Sequence, residues 1–146
     1  MSTLSKDNMR TIIALILLAS CMVVLHALCP DPASLNDSNG NKICARLFQD
    51  SSSLNDLSCG GKALDINKGD DVPAMGSRWV KRASSLVVSS SCSLTVWSQI
   101  HKKGSKRRFS AGTVYRLKDV AKGGRSLKGL FGNWDNEIAG YYCSCY

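Results

Sequence analysis

The stretch SLTVWSQIHKKGSKRRFSAGTVY, Ser93–Tyr115, decides how the chain is read. In Ser93–Gln99, Leu94 and Val96 share one face and Thr95 and Trp97 the other, the period-two pattern of a half-buried strand. Arg108–Leu117 (RFSAGTVYRL) repeats the β-type composition and is interrupted at Ala111-Gly112, as a bulge or bend requires. Between them lies a loop with five cations, Lys102, Lys103, Lys106, Arg107 and Arg108, so the segment reads as a hairpin with a basic tip.

Outward from this hairpin the β signal continues. Ser84–Val88 (SSLVV) and Ile138–Cys143 (IAGYYC) read as further strands, and ICARLF at Ile43–Phe48 as a short one. Glycines punctuate these runs, and no long apolar period of 3.6 follows residue 28. Short strands with Gly-rich turns predict an all-β sandwich of antiparallel sheets. By contrast, residues 29–58 are rich in Ser, Asn, Asp and Pro, the chemistry of turns and loops. A weak internal repeat aligns Gly76–Val88 with Gly132–Cys143: a Gly-containing turn, a Trp (Trp79, Trp134), a polar turn, then an apolar strand.

The chain of 146 residues has room for one small domain. Lys6 and Arg10 precede an apolar run of about 18 residues, Thr11–Leu28, which reads as a secretory signal peptide over residues 1–27. A retained signal anchor is the competing reading of a run this long. Both readings put everything after Leu28 in a lumenal or extracellular space. Cleavage near Ala27 removes Cys21 and leaves six cysteines, Cys29, Cys44, Cys59, Cys92, Cys143 and Cys145. An even count in a small secreted domain argues for three disulfides. Six cysteines allow about 15 pairings, and excluding a strained Cys143–Cys145 bond leaves about 12, among which the sequence does not choose. Zinc is disfavoured: the C-x-C has no C-x-x-C partner, and His101 is the one histidine of the mature domain. Asn36-Asp37-Ser38 is an N-glycosylation sequon, which a plain turn would explain equally well.

Charge is divided sharply. Residues 28–76 hold four basic and seven acidic side chains, net −3, whereas residues 77–146 hold thirteen basic and three acidic, net +10. In a secretory lumen such a surface meets anionic lipid headgroups, acidic glycans, acidic cargo or microbial envelopes, and no nucleic acid. An enzyme is not expected. His101 sits among cations in HKKGSKRR, and no pair of carboxylates stands out for acid–base work. The cationic hairpin then has two readings. Lysines often protect an edge strand from unwanted pairing. Alternatively, five cations at about 1 kcal/mol each would give roughly 5 kcal/mol of salt-sensitive attachment to an anionic membrane. In that second reading Trp97 and Phe109 serve as interfacial anchors.

The segments ASSLVV, CSLTVW, KRRFSAGTVYRL and the closing GNWDNEIAGYYCSC resemble the syncollin family over about Cys29–Tyr146, most strongly from Trp79 onward. That family in turn resembles the βγ-crystallin-like proteins. The resemblance implies a Greek-key sandwich over residues 59–146, with residues 28–58 as a disulfide-pinned N-terminal loop segment. It further implies a secretory (zymogen) granule protein on the lumenal face of the granule membrane, linked to regulated exocytosis. Membrane permeabilisation, disulfide-dependent self-association and granule-membrane glycoproteins as partners belong to the same implication. The calcium motif of the crystallin-like proteins is degraded in both copies. Val80–Ser85 keeps Ser84 and Ser85 but loses the leading pair, and Asp135–Gly140 keeps Asp135 and Asn136 but loses both serines. No cofactor is therefore expected with certainty, and calcium would bind in the weak millimolar class if at all. Two other functions compete with the granule-membrane reading, a secreted cationic defence protein that binds microbial surfaces and a structural granule cargo protein.

Overall fold

The structure, a computed structural model, describes residues 28–52, 57–123 and 132–146. The expected signal peptide, with Cys21, lies outside the described residues. The described residues form six strands: β1 Ala45–Asp50, β2 Gly60–Ile66, β3 Asp71–Val72, β4 Ser85–Gln99, β5 Lys103–Val114 and β6 Gly140–Cys145. All neighbouring pairs are antiparallel.

β4 and β5 organise everything else. The two strands expected at Ser84–Val88 and Ser93–Gln99 are one strand of 15 residues, bent where its register with β5 slips between Val88 and Ser93. Ser91 takes a left-handed φ of 64° inside that irregularity. Before the bend β4 pairs with β1, and after it with β6, while β5 accompanies both halves. One half of the sheet therefore runs β2-β1-β4-β5 and the other β3-β6-β4-β5. Leu47, Ile66, Leu86 and Val88 from the first half share a core with Leu94, Val96, Tyr141 and Cys143 from the second, so the halves close on each other as a sandwich. Alternation along β4 explains why: Leu86, Val88, Leu94 and Val96 are all fully buried.

The weak sequence repeat is a real pseudo-symmetry. Lys81, two residues after Trp79, and Asn136, two after Trp134, are both left-handed, at φ 56° and 53°. Their backbone bonds are reciprocal: Lys81 N–H donates to Ile138 C=O (2.8 Å), and Asn136 N–H to Ala83 C=O (2.9 Å). Trp134 is fully buried, whereas Trp79 is half-buried against the same core.

Among the described residues three disulfides form, Cys29–Cys59, Cys44–Cys143 and Cys92–Cys145. Cys44–Cys143 ties the approach to β1 to β6, across the two halves. Cys29–Cys59 pins the N-terminal segment, whose Leu35 and Ile43 bury Phe48 and Val87 on the outer face of the first half. That segment is more than a loop, because β1 lies within residues 28–58. β2 and β3 were not legible as strands: β2 opens on Gly60-Gly61 at the sheet edge, and β3 is two residues long.

Candidate anionic-surface site

The cations expected at a hairpin tip lie mostly along a strand. The turn is Ile100–Lys102, with His101 and Lys102 left-handed at φ 59° and 58°, and Gly104 (φ 74°) forms a bulge just after it. Hairpin turns of this hand favour Asn and Gly, so Gly104 draws the eye to the wrong position. Lys103, Lys106, Arg107 and Arg108 belong to β5, at the open edge of the sheet.

Register decides which cations act together. Lys106 lies opposite Trp97 and Arg108 opposite Thr95, while Tyr142 of β6 flanks Thr95 on the other side. These residues share the outer face of the second half of the sandwich. Lys102 reaches the same ring, its Nζ 5.4 Å from the Trp97 centroid, and Lys106 Nζ is 5.7 Å away. Arg108 donates to Ser93 Oγ at 2.9 Å. Arg107 points to the opposite face, stacks over Phe109 at 5.5 Å and donates to the Ala121 carbonyl. Lys102 is already paired with Asp71 at 2.6 Å. Lys103 sits opposite Gln99 beside the turn. The outer face thus holds Lys103, Lys106 and Arg108 as unpaired cations among the described residues, with Lys102 neutralised at its rim.

The two halves differ in what covers them. The first half carries the N-terminal segment on its outer face. The second has no such cover among the described residues, and Lys106, Arg108 and Tyr142 on it are exposed.

Neither aromatic expected to anchor at the interface, Trp97 or Phe109, is exposed. Phe109 is 7 % exposed because its position opposite Leu94 turns it into the core. Trp97, at 9 %, is roofed by the two lysines, and it acts as a platform for them. The exposed apolar groups beside the cations are Ile100 at the turn (47 %) and Tyr142 (39 %). Neither stands out in the sequence. Tyr142 is recognisable only by its alternation with the buried Tyr141, and Ile100 only once the turn is placed.

Other singled-out residues fall elsewhere. Asn36 is exposed, in an isolated bridge with Lys42. His101 occupies the turn, its backbone N–H bonded to the Pro73 carbonyl. The sulfurs of Cys44, Cys92 and Cys145 lie within 4.8 Å of one another, but all three are in disulfides and offer no thiolate to a metal.

The two halves of the degraded calcium motif do meet, with Ser84 Oγ 3.5 Å from Asn136 Oδ1. Asp135 Oδ1 is buried without a partner among the described residues, as a cation ligand would be. The rest does not fit. Ser85 donates its hydroxyl to the Asp50 carbonyl at 2.6 Å, and Asp135 Oδ2 accepts from Asn136 Nδ2. Lys81 and Lys122 stand 3.8 and 3.2 Å from Glu137 in the middle of the second motif. Calcium needs six to eight oxygens and tolerates adjacent ammonium groups poorly, so these residues do not make a calcium centre as they stand.

A bent β4–β5 hairpin shared by two four-stranded layers, with paired left-handed turns, defines a protein of the βγ-crystallin-like fold class. Solved structures agree: a domain from work on the evolution of the eye-lens βγ-crystallin fold matches at TM-score 0.55 and 14% identity, covering 82% of this chain and 95% of its own. A βγ-crystallin domain of Abundant Perithecial Protein from Neurospora crassa, in a Ca2+-bound form, matches at TM-score 0.51 and 13% identity, covering 82% and 96%. At such identities the likeness concerns the fold alone. The syncollin family model matches residues 28–145, and the chain belongs to the syncollin family. It is similar to syncollin of Rattus norvegicus, 42% identical over 137 residues, 92% of this chain and 98% of the relative. Syncollin of Homo sapiens is 41% identical over 117 residues, 80% and 83%.

Proposed function

We propose that this syncollin-family chain is a non-enzymatic protein of the secretory granule lumen that attaches peripherally to the anionic lumenal face of the granule membrane and supports regulated exocytosis. The observation that carries the reading is the asymmetry of the sandwich. One outer sheet face is covered by the disulfide-pinned segment, while the other presents Lys106 over Trp97, Arg108 opposite Thr95 and Lys103 opposite Gln99, with Ile100 and Tyr142 exposed beside them.

The expected strength follows from those residues. Each cation near an anionic membrane contributes about 1 kcal/mol. With Arg107 turned away and Lys102 paired, about three act, giving roughly 3 kcal/mol per copy. That is weak and salt-sensitive for one copy, and it rises steeply when several copies act together. With all six cysteines from Cys29 onward paired within the chain, assembly of copies would rest on contacts between folded domains. Attachment of this kind does not by itself perforate a bilayer. The test is co-flotation with anionic and neutral liposomes across a salt series. Binding to neutral vesicles alone, or binding indifferent to salt, would count against the reading.

A further inference from the structure

A second cationic surface lies away from the β4–β5 face. Between the β1–β2 edge and the turn Ser77–Arg82 is an open groove of about 600 Å3, lined by Gln49, Lys62, Ser77, Arg78, Trp79 and Arg82. Its size falls within the roughly 300–1,000 Å3 of small-ligand sites.

Three features set the groove apart from an ordinary solvated patch. Its three cations have no carboxylate partner among the described residues, and no acid lines it, whereas Arg46, Arg116 and Lys122 each hold one. A cleft lined by one sign of charge concentrates counter-ions of the other. Second, its wall is prearranged. Trp79 and Val80 both donate backbone N–H to the Gly76 carbonyl (2.9 and 3.0 Å), Arg82 donates to Trp79 (3.2 Å), and Lys81 is tied to Ile138. Third, the indole of Trp79 is half-buried against the core and still lines the groove, so it offers a fixed flat apolar wall among the cations.

This combination matches one ligand chemistry. Arginine forks grip sulfate or carboxylate oxygens in two-pronged fashion. An indole face packs against the C–H face of a sugar ring, and Gln49 and Ser77 supply partners for hydroxyls. We propose that the groove is a binding site for an acidic saccharide, a short oligosaccharide carrying sulfate or carboxylate groups. The site uses residues separate from the membrane-facing surface, and it stands or falls independently of it.

The test uses the full chain with its three disulfides formed, titrated at fixed ionic strength with a sulfated heparin-type hexasaccharide, a sialylated trisaccharide, the neutral disaccharide that remains when its sialic acid is removed, and inorganic sulfate. The indole 15N–H resonance of Trp79 reports occupancy, with that of Trp97 as the control. Binding of either acidic sugar with a shift confined to Trp79 is expected, and the stronger of the two identifies the acid. Arg78→Gln with Arg82→Gln should weaken binding tenfold or more, while Lys106→Gln with Arg108→Gln should change it less than twofold. Both pairs replace exposed surface cations, and folding is checked by thermal unfolding. Equal weakening by the two pairs, a silent Trp79, or sulfate or the neutral sugar binding as well as the acidic one would overturn the proposal.

Discussion

Replacing Cys44 and Cys143 by alanine should remove a large share of the stability of the sandwich. The two residues are 99 apart in sequence, but the Cys92–Cys145 bond shortens the loop they close. The remaining path runs from 44 to 92 and from 145 back to 143, about 50 residues (48 + 2), for which loop-closure entropy gives about 4 kcal/mol. Both cysteines are fully buried, and truncation leaves a small void in the core that adds to the loss. Against a typical total of about 5–15 kcal/mol, the doubly substituted chain would be marginal. Urea unfolding followed by tryptophan fluorescence measures this directly, because Trp134 is buried in the same core. A loss below about 1 kcal/mol with an unchanged m-value would refute the reasoning, showing that the two halves are held by packing alone.

Gly140→Ala should destabilise by about 1–3 kcal/mol, since the added Cβ would meet the Pro73 carbonyl oxygen at 2.8 Å between β3 and β6; thermal unfolding reads the loss. Calcium at about 1 mM should stabilise the fold by less than roughly 0.4 kcal/mol, the value for half-occupancy of one site; a clear rise in Tm would show that Ser84, Asn136 and Asp135 make a working centre. Burial of Tyr141, with Asp70 nearby, raises its phenol pKa above the usual value. Its folded-state pKa being the higher one, the stability linked to it is intact below the ordinary tyrosine range and is lost as pH climbs through the raised value. Absorbance titration should show one late tyrosine that Tyr141→Phe removes.

How much of this was visible beforehand follows from the forces involved. Alternation of Leu94 and Val96 against Thr95 and Trp97 exposed β4, because one face is core and the other is not. The Trp79 and Trp134 windows carried the pseudo-symmetry, since both place a left-handed residue two positions after the Trp. β2 stayed hidden because its edge position leaves Gly61, Lys62 and Ala63 exposed, without an apolar rhythm to read. The cationic cluster was legible as composition but not as geometry. A left-handed His101-Lys102 turn carries no sequence signal comparable to Asn-Gly, and a shift of one residue in the turn decides whether Lys106 and Arg108 or Arg107 meet the outer face. The same register, with Phe109 opposite Leu94, turns Phe109 into the core and away from an interfacial role. The groove at Arg78 and Arg82 needed tertiary structure, because Lys62 and Gln49 reach it from other strands.

The most direct measurement of the membrane-attachment reading compares co-flotation of the native chain and of Lys106→Glu with Arg108→Glu on anionic liposomes. About 3 kcal/mol of attraction from three cations should turn into about 1 kcal/mol of repulsion, a change near a thousandfold in partitioning. Loss of flotation in the charge-reversed chain, with its unfolding transition unchanged, is the expected result. Undiminished flotation would contradict it and would make these cations guards of an open sheet edge.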